Sequence, residues 1–308
     1  MLNENYKPVV GVGLRHSHYE QALGSPANLD FVEVHTENFY ATGGATQAVL
    51  ERARELYEVS FHCTSLGLGS ALGLSDPALA RLAELVNHYD PLMVSDHLSF
   101  AWATLGSKRV HLGELFPIER NAQSLQVVVD NVDRVQQTLG RSMLIENVSS
   151  YAGGLQHQFS EPEFLSRLVE ASGCRLLLDI NNLTVNAHNE KWVNAEAMCI
   201  EWMKHLPKAA VGEIHLAGYT PVADGEIAID DHGQPVSELG WRVYRAALRH
   251  FGLVPTLIEW DSQLPDWSVL LEQADIARCI GYEVAAERSE STFSSVRADS
   301  QSNVLELD

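Results

Sequence analysis

The chain has 308 residues, with 21 Lys and Arg against 41 Asp and Glu for a formal charge of −20, and 45 % of its residues are hydrophobic. That apolar content builds a sizeable core and excludes a disordered chain, and the acidic excess excludes a general nucleic-acid binder, which needs a basic field against phosphates. No apolar run approaches the roughly 18 residues of a membrane span, Met1 to Lys7 lacks the basic start and apolar stretch of a signal peptide, and the cysteines Cys63, Cys174, Cys199 and Cys279 form no CxxC pair, which reads as reduced thiols in a cytoplasmic protein.

Short runs rich in Val, Ile and Leu recur in order at Val9–Leu14, Phe31–Glu37, Val59–Cys63, Leu92–Leu98, Met143–Val148, Arg175–Asn181, Val211–Ala217 and Thr256–Asp261. Their length and composition predict strands buried on both faces. Between them, Ala45–Tyr57, Pro77–His88, Ile118–Leu139, Glu161–Ala171, Ala195–His205, Glu238–Phe251 and Trp267–Ile280 place apolar residues three and four apart, the period of an amphipathic helix. Ser75-Asp76-Pro77 and Ser160-Glu161-Pro162 are helix starts, and Gly140, Gly173 and Gly252 follow helices as stops. Eight strands alternating with helices predict an α/β protein, a (β/α)8 TIM barrel occupying 1–284 as a single domain. Gly11-Val12-Gly13 lacks the third glycine of a dinucleotide fingerprint, so a doubly wound sheet is the weaker reading. The Ser-rich segment 285–308 reads as a disordered tail.

The predicted strands end in titratable residues. Strand two carries Glu33, His35 and Glu37; strand three ends at His62, strand four at Asp96-His97, strand five at Glu146-Asn147 and strand six at Asp179-Ile180-Asn181-Asn182. Strand seven carries Glu213 and His215, and strand eight Glu259 and Asp261. Because successive side chains alternate faces, each polar set projects to one side, at the end of the barrel where such folds keep their active sites. Any one of these residues is best read as a core hydrogen-bonding group or a cap. Together they resist that reading, since buried carboxylates and imidazoles crowded together need a cation to compensate them. His188, after strand six, and Asp230 and His232, in the connection before strand eight, fall in predicted loops at the same mouth. His62, His97, Glu146, Asp179, His188, His215, Asp230, His232 and Glu259 are too many ligands for one ion and suit two or three, with Glu146 as a bridge. Imidazole and carboxylate without thiolate suit iron, manganese or zinc. Cys63, beside His62, should face the core.

The segments Gly-Val-Gly-Leu-Arg (11–15), Val-His-Thr-Glu-Asn-Phe-Tyr (34–40), Phe-His-Cys-Thr-Ser-Leu-Gly-Leu (61–68), Val-Ser-Asp-His-Leu-Ser-Phe (94–100), Ile-Glu-Asn-Val-Ser-Ser-Tyr (145–151), Leu-Asp-Ile-Asn-Asn (178–182), Glu-Ile-His-Leu-Ala-Gly (213–218), Asp-Asp-His-Gly (230–233) and Ile-Glu-Trp-Asp (258–261) resemble, in order and spacing, the multinuclear non-haem iron-dependent oxidative enzymes, the family whose best-known member acts in methanobactin biosynthesis. The resemblance spans residues 8–282. It implies a (β/α)8 barrel with two or three iron ions of mixed Fe2+/Fe3+ state and O2 as co-substrate, acting on cysteine residues of a ribosomally made precursor peptide. It assigns His62, His97 and Glu146 to one iron, Glu146, Asp179, His215 and Glu259 to a second, and His188, Asp230 and His232 to a third. Arg15, Glu33, His35, Glu37, Asn147 and Asn182 become residues that orient ligands or contact substrate. Related enzymes often work with a separate peptide-recognition partner protein. Two other readings stay open: a divalent-metal isomerase, epimerase or phosphodiester hydrolase resembling xylose isomerase or endonuclease IV, and a non-enzymatic module with closed metal coordination.

Overall fold

The apolar runs fold as strands because each supplies residues that are sheltered on both faces. The computed structural model describes residues 7–151, 155–223 and 225–302, with side chains through Glu290. The barrel strands are β1 (Val10–Gly13), β2 (Phe31–His35), β3 (Glu58–His62), β4 (Val94–His97), β7 (Leu144–Glu146), β8 (Arg175–Asp179), β9 (Val211–Leu216) and β10 (Thr256–Ile258), joined in that order and closed by β10 against β1. All eight pairings are parallel. The protein is a single (β/α)8 TIM barrel.

Helices α1 (Tyr19–Gly24), α2 (Gly44–Leu56), α3 (Asp76–Tyr89), α4 (Ala122–Leu139), α5 (Glu161–Ser172), α6 (Ile180–Asn189), α7 (Ala195–Lys204), α8 (Glu238–Phe251) and α9 (Trp267–Ser302) surround the strands. The starts follow the sequence signals: the Ser160 hydroxyl accepts from the Glu163 amide, and Asn121 and Ser124 form a reciprocal cap on α4. Gly140 and Gly173 take the left-handed conformation that ends α4 and α5. The helices bury their apolar stripes against the outward strand residues, including Val32, Val34, Val59, Phe61, Ile214 and Ile258. Cys63 belongs to this outer core.

The strand residues that point into the barrel form layers, as the period of two requires. At the bottom Phe31, Met93, Leu144, Leu177 and Leu257 pack into an apolar plug. One layer up, Glu33 pairs in register with Ser60. Above that, His35 pairs with His62, His97 with Glu146 and Asp179 with His215. The registry of the eight strands therefore gathers the titratable residues at one end over a dry floor.

Three local features differ from the sequence expectation. A hairpin, β5 (Phe100–Leu105) with β6 (Lys108–Phe116), interrupts the β/α alternation after β4; the apolar residues 100–103 follow the predicted strand Leu92–Leu98 with only Ser99 between, and β6 is largely exposed, so neither stands out in the sequence as a separate buried run. The predicted sixth strand stops at Asp179, whose carboxylate accepts from the Asn182 amide and starts α6 at once, which puts His188 on the last turn of a helix rather than in a loop. Helix α9 runs on to Ser302, past Ala285, where the sequence suggested a disordered tail; Val284 and Ala285 are buried and Arg249 pairs with Glu287. Residues 303–308 lie outside the described residues.

Candidate metal centre

The site begins with β3 and β4. His62 is fully sheltered, its Nδ1 2.8 Å from the Ser95 hydroxyl and its Nε2 turned toward Glu146 Oε2 (3.5 Å) and His97 Nε2 (3.4 Å). His97 Nε2 lies 3.4 Å from the same Glu146 oxygen. Asp96, behind it, accepts from the His97 and Leu66 amides and so fixes the end of β4. Across the mouth, Glu259 Oε2 is 2.9 Å from His215 Nδ1 and 3.4 Å from His232 Nδ1. His215 Nε2 points down toward Glu33 (3.4 Å) and Glu213 (3.8 Å), the usual arrangement in which the far nitrogen of a ligating imidazole meets a carboxylate.

Donor atoms within ligating distance of one another form five groups: His62, His97 and Glu146; Glu146, Asp179 and His215; Glu33, His215 and Glu259; Asp179, His232 and Glu259; and His35, Glu259 and Asp261. Glu146, Asp179, His215 and Glu259 recur, so the groups form one connected centre. Donor atoms at the heart of the centre are buried without a hydrogen bond, among them Glu146 Oε2 and Asp179 Oδ2. An unpaired buried polar atom is expensive, and a shared focus of such atoms fits bound cations. The donor set, nitrogen and oxygen without sulfur, suits borderline first-row metals.

The acid–base state of the bare cluster leads to the same conclusion. Burial pushes the Glu146 carboxyl up to about 8 and that of Asp179 up to about 7. Burial and the neighbouring Glu33 push Glu213 up to about 7. For His97 burial opposes the charge, but Glu146 and Asp96 override it and raise the imidazole to about 9. His215 and His232 rise well above the usual range in spite of burial, through Glu33 and Glu259 for the first and Asp230 and Glu259 for the second. Burial and the charge of His97 hold His62 well below its usual range. Against its own burial, Glu259 is held low by His232 and His215. The bare centre thus gathers protons on its ligands, in the places where metal ions would put positive charge.

The structure places the remaining predicted residues as follows. Arg15 is buried beside the centre, donating to Asp261 (2.7 Å) and Glu259 (3.2 Å) and meeting His35 Nε2 at 3.0 Å. A Cβ on Gly13 would lie 2.9 Å from the Arg15 guanidinium, so the glycine makes room for it. Asn182 donates to Glu146 Oε1, and Asn147 ties β7 to β8 by exchanging bonds with the Asp179 backbone. Glu37 turns away from the mouth and accepts from the Thr64 amide and Ser65 hydroxyl, holding the loop after β3. Glu33 and His35 enter the ligand groups themselves. Asp230 pairs with His232 at 2.7 Å and accepts from Asn181. His188 joins none of the groups: its Nε2 meets the Glu226 carbonyl at 3.1 Å. Ser95 and Asn181 were not singled out as site residues from sequence, because a serine or amide adjacent to a ligand carries no pattern of its own, whereas Asp261, read there as a strand-end carboxylate, joins His35 and Glu259 in a ligand group.

His232 sits at φ +43°, a left-handed backbone that a non-glycine residue holds only when its surroundings impose it. Here the Asp261 amide donates to the His232 carbonyl and Gly218 bridges Gln234. A Cβ on Gly218 would fall 2.1 Å from the Pro235 carbonyl oxygen. Gly218→Ala is therefore expected to push the 230–235 loop outward while leaving the barrel intact. The variant should keep its far-ultraviolet spectrum, lose the metal equivalent held at His232, and lose about 10²-fold in turnover, the scale of a 1 Å misplacement. Metal analysis of the folded variant checks it.

A model of the family described as RiPP precursor modification enzyme MbnB/TglH/ChrH matches residues 9–281. Among curated relatives, a UPF0276 protein of Chromobacterium violaceum is 41 % identical over 272 residues, covering 88 % of this chain and 94 % of the relative. One from Rhizobium meliloti is 37 % identical over 276 residues, covering 88 % and 86 %. Among solved structures, D-psicose 3-epimerase from Clostridium cellulolyticum superposes with a TM-score of 0.55 at 10 % identity, covering 92 % of this chain and 98 % of that one. A xylose isomerase-like TIM barrel protein from Mycobacterium smegmatis in complex with magnesium gives 0.56 at 13 %, covering 92 % and 100 %. At such identities the likeness is one of fold.

Proposed function

Because the chain belongs to the MbnB/TglH/ChrH family of RiPP precursor modification enzymes, we propose that it oxidises cysteine residues of a ribosomally synthesised precursor peptide at a centre of two or three iron ions, with O2 as co-substrate. The observation that carries the reading is the single connected cluster of ligand groups sharing Glu146, His215 and Glu259. An isolated ion needs four to six ligands, and this centre offers enough for neighbouring ions. His62, His97 and Glu146 would hold the first, Glu146, Asp179 and His215 the second, and Asp179, His232 and Glu259 the third, with Asp230 against His232.

Iron bound there would supply one-electron chemistry toward dioxygen and an affinity for thiolate sulfur. The chain's own residues do the rest. Arg15, clamped by Asp261 and Glu259, balances the excess of carboxylate at the mouth and offers its Nη2 to His35 Nε2, which keeps that nitrogen an acceptor facing the centre. Asp179, Glu146 and His215 lie fully sheltered, so bulk water is kept from the ligands. The buried Cys63, Cys174 and Cys199 are free thiols, consistent with a reducing compartment such as the cytoplasm, and among the described residues no helix is long and apolar enough to cross a membrane.

The test is aerobic incubation of the iron-loaded protein with the peptide encoded beside its gene, and with any partner protein encoded there, followed by mass spectrometry. A mass change confined to cysteine-containing fragments is expected. An unchanged peptide together with exchange of solvent deuterium into a ketose, supported by manganese or magnesium without O2, would replace this reading with the second one, a divalent-metal epimerase or isomerase, which the barrel's likeness to D-psicose 3-epimerase favours.

A further inference from the structure

Five ligand groups meet at the mouth of the barrel, and their donor atoms are not all in the same state. Three of the five contain Glu146 or Asp179, whose Oε2 and Oδ2 atoms are buried with no hydrogen-bond partner. Those are the three groups that would hold the proposed ions. In a fourth, the His215 ring stands between its two carboxylates, 3.4 Å from Glu33 and 2.9 Å from Glu259. The fifth, made of His35, Glu259 and Asp261, differs from all of these, because a cation of the chain itself already sits in it.

That cation is Arg15. Its Nη2 lies 2.7 Å from Asp261 Oδ1, 3.0 Å from His35 Nε2 and 3.2 Å from Glu259 Oε1. The same His35 nitrogen is 3.8 Å from each of those two carboxylate oxygens, so the three donors converge on one nitrogen of the guanidinium. An imidazole and two carboxylates, completed by water, make a suitable site for a first-row divalent ion. The side chains of His35 and Asp261 are 24 % and 33 % exposed, which leaves such an ion a path from solvent. The group therefore has the donors, the focus and the access of a metal site, with a side chain in the position of the metal.

The order of the strands puts Arg15 there. β1 lies between β10 and β2. Glu259 and Asp261 follow β10, His35 ends β2, and Arg15 stands just beyond the end of β1. The inward positions of β1 are Gly11 and Gly13, in register with Phe31 and Glu33. The strand thus brings no side chain of its own into the layer below the mouth, and a Cβ on Gly13 would meet the guanidinium at 2.9 Å. Arginine suits the position: it keeps its charge when buried, is weakly hydrated, and matches carboxylates with a planar fork of donors. Unlike an ion, it offers no coordination position to a thiolate or to dioxygen.

We propose that Arg15 is a built-in cation that closes the group of His35, Glu259 and Asp261 to metal, and so restricts the centre to the ions of the other groups. Glu259 is thereby confined to one oxygen. Its Oε1 is held by Arg15, and Oε2 alone is turned toward His215 and His232, which helps to leave a coordination position free for substrate. The inference rests on the multinuclear reading of the centre and is independent of the peptide chemistry.

The experiment counts metal. Wild-type protein, Arg15→Ala, Arg15→Lys and the double variant Arg15→Ala, Asp261→Asn are reconstituted anaerobically with excess isotopically enriched Fe2+ and desalted. Elemental analysis gives the iron per chain, circular dichroism confirms folding, and Mössbauer spectra resolve the sites. Arg15→Ala should hold one further equivalent and show an added high-spin ferrous component with nitrogen and oxygen ligands. Arg15→Lys, which keeps a cation on the group, should retain the wild-type count, and Asp261→Asn should abolish the gain of the alanine variant. If Arg15→Ala does not fold, Arg15→Gln, which removes the charge and fills more of the space, is read in its place with the same expectation. A folded Arg15→Ala protein with the wild-type count or less overturns the proposal, as does a gain that survives Asp261→Asn or is shared by Arg15→Lys. A wild-type protein that takes up no more than one ion overturns the multinuclear centre and the proposal with it, whereas two or three ions in the wild type with no gain in Arg15→Ala overturn the proposal alone.

Discussion

Glu259→Ala is expected to have the largest effect of any single substitution in the chain, lowering the metal content of the purified protein by at least one equivalent and turnover by far more than 10²-fold. Glu259 belongs to three of the five ligand groups. Its two oxygens face His215 (2.9 Å), His232 (3.4 Å) and Arg15 (3.2 Å). Loss of a residue that merely orients a ligand costs roughly 10–100-fold in affinity or activity, so loss of a ligand shared between ions should cost more. The same change removes one of the two carboxylates that Arg15 meets and leaves it buried against Asp261 alone, so the fold should lose less than the roughly 3–5 kcal/mol of a buried charge left with no partner. Glu259→Gln keeps the shape and should fold better than the alanine variant while losing metal and turnover alike. Elemental analysis, turnover and urea denaturation of the two variants check this; full metal occupancy in Glu259→Ala would remove Glu259 from the centre.

The barrel was legible because every one of its strands is an apolar run, and a strand buried on both faces has no other way to look. Its ligands were legible for a related reason: a period of two converts Glu213 and His215, or Glu259 and Asp261, into neighbours on one face before any coordinates are seen. Alternation alone does not say how far that rule extends past a strand end. Glu37 shares the parity of Glu33 and His35, but the chain turns into a 3-10 helix at Thr36, so Glu37 holds the loop after β3 instead of facing the mouth. Asp179 is both a ligand candidate and the cap of α6, and its second role, invisible in a run that looks like strand, moved His188 onto a helix end beside Glu226. The hairpin β5–β6 escaped notice because its alternation is mixed and much of it faces solvent.

Removing the metals should reverse the pH dependence of stability. In the bare centre Glu146 stands at about 8, Asp179 and Glu213 at about 7 and His97 at about 9, while His215 and His232 are raised further than their ordinary range. Unfolded, the carboxyls return to about 4 and the imidazoles to about 6.5. Each of these groups therefore binds more protons folded than unfolded somewhere between pH 5 and 9, and linkage makes the folded state lose stability as pH rises through that window. His62, held low, is the one imidazole of the centre that acts the other way. Glu259 and Asp261 are also held low, and their contribution is lost only in acid, below the ordinary carboxyl range. Bound cations occupy the places of those protons, and their affinity rises as the ligands deprotonate. Chelated protein should thus lose at least about 2 kcal/mol between pH 6 and pH 8.5, while the metal-loaded protein holds or gains over the same range, so that chelation costs most at the alkaline end. Urea titrations with and without chelator at each pH measure both slopes. Parallel slopes would mean that the carboxylates and imidazoles at the mouth are not crowded enough to need cations, and the multinuclear centre would have to be abandoned.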